Sequence, residues 1–199
     1  MTHRIGYLVG SLSQDSINRV LAKALIRLAP DSLELTEIPI RDLPLYNRDD
    51  EMDPVPAVTE FKAAIEGSDG LLFVSPEYNR SIPAPLKNAI DWGSRPWGQN
   101  SFARKPTGII GASVGAIGTA VMQSSMRSVL SFLDAPQLNA PEAYITFKPE
   151  VYGDDGEVAD EGTEKFLRHY MDEYAAFVDR VLSVTLPGHM GDSDPDTMH

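Results

Sequence analysis

Arg4-Ile5-Gly6-Tyr7-Leu8-Val9, running into Gly10-Ser11-Leu12-Ser13-Gln14-Asp15-Ser16-Ile17-Asn18, is the stretch on which the fold of this chain turns. The first six residues form a short apolar run next to glycine, as a buried strand does. The loop that follows is polar. Ile17, Val20, Leu21, Ala24, Leu25 and Leu28 then recur at helical spacing until Pro30 stops them. A helix N-terminus carries unpaired N–H groups and the positive end of the helix dipole, so it attracts anions. Ser11, Ser13, Ser16 and Asn18 add side-chain donors. No Gly-Lys-Ser/Thr follows, so this is not a nucleoside-triphosphate loop, and the Gly-x-Gly-x-x-Gly dinucleotide turn is absent too. Hydroxyls without a lysine suit a phosphomonoester. A plain N-cap would give the same pattern. Asp15 favours that alternative unless its carboxylate is turned to solvent.

The rest of the chain repeats the strand-then-helix alternation. Leu33–Ile38 reads as a second strand, and the Pro- and acid-rich residues 39–56 as a surface excursion. Val58, Phe61, Ala64 and Ile65 mark a helix ending near Gly67. Gly70–Val74 and Thr107–Ala112 read as continuous apolar strands, Ala143–Phe147 as a shorter one. Pro85–Trp92 reads as a helix with proline in its first turn. Met122, Met126, Val129, Leu130 and Leu133 mark another, and Phe166, Tyr170, Tyr174, Phe177, Val178 and Val181 a last one. Short apolar strands alternating with amphipathic helices predict an α/β fold, a parallel sheet covered on both faces. Ligands in such sheets bind at the carboxyl ends of the strands, where the winding direction switches. The loops there are 10–16, 75–83 and 113–118, all rich in small or hydrogen-bonding residues. One domain over 1–187 is expected, followed by a disordered acidic tail over 188–199.

Composition excludes several classes. The chain of 199 residues has no cysteine, which removes disulfides, thiolate nucleophiles and thiolate metal sites. A formal charge of −12 argues against a nucleic-acid partner. No apolar run approaches the roughly 20 residues of a membrane helix, and no secretion signal is seen, so a cytoplasmic protein is expected. His3, His169, His189 and His199 are too scattered for a metal site.

Two further blocks carry a resemblance. Ser75-Pro76-Glu77-Tyr78-Asn79-Arg80-Ser81-Ile82-Pro83 is followed by Leu86-Lys87-Asn88-Ala89-Ile90-Asp91-Trp92 and then Ser94-Arg95-Pro96. Together with Gly10-Ser11 and Asn18, this order resembles the NAD(P)H-dependent FMN reductases, above all their chromate, quinone, ferric and azo reductase branch, over about residues 4–182. The resemblance implies a flavodoxin-like three-layer fold whose five-stranded parallel sheet has the order 2-1-3-4-5. It implies an FMN phosphate held by Ser11, Ser13, Ser16, Ile17 and Asn18, and a flavin ring lined by Pro76, Glu77, Tyr78 and Asn79, with Ser113 and Gly115 as the third flavin loop. It further implies NADH or NADPH as donor, hydride transfer through flavin N5, and a homodimer or homotetramer. Arg95 is expected to act in catalysis near the subunit interface and a neighbouring active site. Two departures stand out. Ser13 and Asp15 replace the arginine and small residue usual in such loops, and Ala84-Pro85 replaces a glycine pair.

Two alternatives remain. A non-enzymatic flavodoxin-type electron carrier would share the fold. A serine hydrolase would use Ser113 in Gly111-Ala112-Ser113-Val114-Gly115, with Asp154, Asp155 or Asp160 and His169 following in triad order.

Overall fold

The computed structural model describes residues 1–184. Five strands, β1 (His3–Val9), β2 (Leu33–Glu37), β3 (Gly70–Val74), β4 (Thr107–Ser113) and β5 (Tyr144–Thr146), form one parallel sheet in the order β2-β1-β3-β4-β5. The helices are α1 (Ile17–Leu28), α2 (Pro56–Glu66), α3 (Ala84–Gly93), α4 (Ala120–Phe132) and α5 (Glu161–Val184). This is the flavodoxin-like winding, with its direction switching between β1 and β3. The expected disordered tail lies outside the described residues.

Alternation along the strands sorts the core into two layers. Ile5, Val9, Leu72, Val74 and Ile110 pack under α1 and α5, against Leu21, Leu25, Leu167, Tyr170 and Tyr174. Leu8, Leu71, Phe73 and Ile109 face α2, α3 and α4, against Phe61, Ile65, Leu86, Ile90, Met122 and Met126. Both faces of β3 are therefore buried, which explains its unbroken apolar sequence.

Differences from the sequence expectation sit at the ends of elements. β5 keeps only three residues, because it is an edge strand beside β4 alone. α5 starts at Glu161, ahead of the first apolar marker Phe166, because Asp160 caps it: its carboxylate accepts from the Thr163 N–H and hydroxyl, both at 2.7 Å. The excursion after β2 is better anchored than its composition suggests. Ile38 and Ile40 are buried, and the Ile38 N–H continues the ladder to the Tyr7 carbonyl at 2.8 Å.

Two glycines bring the strand ends together. A Cβ on Gly10 would stand 2.2 Å from Ser75 Oγ, and one on Gly111 would stand 2.0 Å from the Ser75 carbonyl oxygen. Only hydrogen at these positions lets β1, β3 and β4 close around Ser75, directly beneath the three candidate loops.

Candidate functional site

The loop 10–18 enters α1 with its N-terminus open. Ser16 occupies the N-cap position but makes no capping bond with its side chain. It is only 7% exposed, and its hydroxyl has no hydrogen-bond partner. The first α1 bonds are those of Arg19 and Val20 to the Ser16 carbonyl, which leaves the N–H groups of Ile17 and Asn18 without acceptors among the described residues. Ser11 is buried; its hydroxyl accepts the Ser13 N–H at 3.3 Å and lies 3.4 Å from the Tyr78 hydroxyl. Ser13 and Asp15 are exposed.

Asn18 has a task that the sequence did not reveal. It is fully buried, donates through Nδ2 to the Ala112 carbonyl at 2.9 Å and accepts the Ala112 N–H at 2.8 Å. Its amide oxygen and one of its two N–H groups are held by β4, which turns the side chain toward that strand. Its backbone N–H is the donor left without an acceptor among the described residues.

The second wall is the turn after β3. Tyr78 and Ser81 exchange backbone bonds at 3.2 and 3.0 Å around Asn79 (φ 51°) and Arg80 (φ 63°). Two successive left-handed residues make a type I′ turn, a strained conformation for Arg80. Pro76 is buried and Tyr78 stands 46% exposed. Glu77 reaches across the fold. Its Oε2 accepts the N–H groups of Val121 and Met122 at 3.0 and 2.9 Å, and its Oε1 accepts from Arg80 at 3.2 Å. The carboxylate thus closes the N-terminus of α4 and ties the turn to it.

Ser113 and Gly115 form the third wall. The Ser113 hydroxyl accepts the Gly115 N–H at 2.9 Å. His169 is an exposed residue of α5 with no hydrogen bond to Ser113. The hydrolase alternative therefore lacks the nucleophile–base contact on which it depends.

Arg95 is not brought to this cleft. It lies just past the C-terminus of α3, about 15 Å of helix away from the Tyr78–Ser81 turn. There its Nε is 3.9 Å from Glu51, and its guanidinium lies over Trp97 at 5.8 Å. Glu51 also accepts from the Tyr46 hydroxyl, so the acid-rich excursion over 39–56 carries internal contacts of its own. Arg95 lines a groove of about 370 Å³ with Met52, Val58, Lys62 and Trp92. Among the described residues no cluster of three or more His, Asp or Glu could hold a metal ion, and no helix is long and apolar enough to cross a membrane.

Comparisons with known proteins agree with this geometry. The sequence profile of the NADPH-dependent FMN reductases matches residues 3–150. A 2-hydroxy-1,4-benzoquinone reductase of Burkholderia sp. is 48% identical over 178 residues, covering 89% of this chain and 97% of the relative. A quinone reductase of Pseudomonas putida is 45% identical over 177 residues, covering 88% and 95%. The solved structure of a flavoenzyme NAD(P)H:(acceptor) oxidoreductase from Paracoccus denitrificans superposes with a TM-score of 0.87 at 42% identity, covering 90% of this chain and 98% of that one. With a flavodoxin-like sheet, an open helix end at its switch point and a family profile matched across most of the chain, this protein belongs to the NADPH-dependent FMN reductase family.

Proposed function

We propose that this chain is an FMN-dependent NAD(P)H:acceptor oxidoreductase whose acceptors are quinones and other small oxidants, among them chromate, ferric chelates and azo dyes. One observation carries it: the Ser16 hydroxyl, on a side chain that is otherwise buried, makes no hydrogen bond and stands beside two free N–H groups at the mouth of α1. An N-cap hydroxyl ordinarily accepts from the first turn of its own helix, and this one does not. A phosphate end seated here satisfies all three donors at once and favours the helix dipole. The names of the relatives support the donor and the quinone acceptor.

Bound FMN supplies hydride acceptance and donation at N5. The chain's own residues supply the rest. Ser11, Ser16, Ile17 and Asn18 orient the phosphate, the last two through backbone N–H groups, with exposed Ser13 at the rim. The Pro76–Asn79 segment and the Ser113–Gly115 loop hold the ring between them. Glu77 acts through its hold on α4 by keeping the Tyr78–Ser81 turn in place. Exposed Val114, Ile117, Val121 and Phe132 support a homodimer or homotetramer. In such an assembly Arg95 serves a neighbouring subunit's flavin, since its own lies out of reach. No histidine of the described chain is needed as acid or base.

The test is direct. Purified protein should be yellow or take up added FMN, and should then oxidise NADH or NADPH with a benzoquinone acceptor. A protein that binds no FMN sinks the proposal. One that binds FMN but never oxidises either nucleotide returns the electron-carrier alternative.

A further inference from the structure

The loop 10–18 contains no cation, includes Asp15, and belongs to a chain of net charge −12. A phosphate dianion in it would meet an unfavourable field unless a positive group stands close by. Arg19, one helical residue beyond the mouth, is not free: its guanidinium donates to both Glu37 oxygens at 2.9 Å. The cation that does touch the loop comes from elsewhere in the chain. Arg41, in the excursion after β2, donates through Nη2 to the Leu12 carbonyl. Its backbone is held by buried Ile38 and Ile40, so the side chain starts from a fixed point. This is its single hydrogen bond among the described residues, and its other guanidinium N–H groups remain free.

We propose that Arg41 is the cation of the phosphate site at the mouth of α1, laid across the loop so that its free N–H groups pair with the phosphate of FMN. The proposal rests on the FMN assignment above. Its independent supports are the Ser16 hydroxyl, which makes no hydrogen bond at the mouth, and the guanidinium resting on Leu12 four residues before it. Arginine suits this role because its planar fork can donate to the loop carbonyl and to a phosphate oxygen together. An exposed cation acting on a phosphate also makes binding depend on salt.

Flavin-stripped full-length protein, titrated with FMN and with riboflavin, separates this role from a merely structural one. Riboflavin carries the same ring without the phosphate. Arg41→Ala should weaken FMN about tenfold, leave riboflavin unchanged, and flatten the loss of FMN affinity between low and high salt. Arg41→Lys should restore part of the affinity and the salt dependence. Equal weakening of FMN and riboflavin would mean that Arg41 only straps the loop, and would overturn the proposal. So would unchanged binding of both. Wild-type protein that binds no FMN would bring down the parent assignment along with this one, whereas tight wild-type binding with an indifferent Arg41→Ala variant removes this inference alone.

Discussion

The N-termini of α1 and α4 point toward the same end of the sheet, yet they are finished in opposite ways. At α4 the first donors are all taken: Ala120 by the Ile117 carbonyl, Val121 and Met122 by Glu77, Gln123 by the Thr119 carbonyl. At α1 the first two have no acceptor, and the N-cap hydroxyl that could serve as one stands idle. The remaining helices lie between the two, each leaving first-turn N–H groups without an acceptor among the described residues. α2 and α3 carry Pro56 and Pro85 in their first turns, each removing a donor, and α5 is capped by Asp160. The difference teaches where binding energy is kept. A capped helix has spent its dipole on stability, and an open one holds it for a ligand.

That contrast can be broken by closing α1. Ser16→Asp places a carboxylate at the N-cap, where it accepts the free N–H groups itself and repels phosphate. FMN affinity should fall about a hundredfold while the thermal midpoint rises, because a capping side chain contributes about 1 kcal/mol. Fluorescence titration and a melting curve report the two effects, and a variant that still binds FMN as wild type would place the anion elsewhere. Next in size, Asn18→Ala strands the N–H and carbonyl of Ala112 in the core and should cost about 2–3 kcal/mol in denaturant unfolding. A loss below 1 kcal/mol would show that β4 does not need the amide. Opening α4 by Glu77→Ala should cost about 1–2 kcal/mol; Glu77→Gln, which keeps one acceptor, should cost less.

The smallest effect belongs to α5 and is read through pH. The two bonds from Thr163 hold the Asp160 carboxyl below its ordinary value of 3.8. A folded-state pKa below the unfolded one means that the contribution is complete above the unfolded value and is lost as pH falls through the folded one. The stability gap between wild type and Asp160→Ala should therefore be constant near neutrality and close below about pH 3.8. A gap unchanged at lower pH would mean that the carboxylate is not the cap.

The fold was legible because it rests on local patterns. Gly70–Val74 reads as a two-sided buried strand from five consecutive residues, and Pro30 and Gly67 mark helix ends within a few residues of where they fall. The first loop reads as a candidate anion site for the same reason, since a helix mouth is a local object. The partners inside the site were not. Asn18 meets Ala112 across 94 positions and Glu77 meets Met122 across 45. Asn in a Ser-rich loop looks like a ligand donor whether or not a distant strand has claimed it, and Glu beside a turn looks solvent-bound until a helix end is placed over it. Arg41 was hidden in the same way, read as part of a surface excursion although Ile38 and Ile40 pin that excursion to the core. Arg95 shows the converse: its nearness in sequence to the second motif does not bring it near in space, because a helix of ten residues intervenes.

The paired bonds between Asn18 and Ala112 have a kinetic consequence. They bolt the first wall of the cleft to the floor of the third, and Glu77 fastens the second wall to the helix that leaves the third. Walls one and three are therefore joined directly, and wall two is tied to them through α4. Above the Gly10 N–H bond to the Val74 carbonyl, walls one and two meet through side chains at the 3.4 Å approach of the Ser11 and Tyr78 hydroxyls. If a molecule seated in the cleft leaves along that seam, its residence time depends on how readily this hydroxyl pair parts.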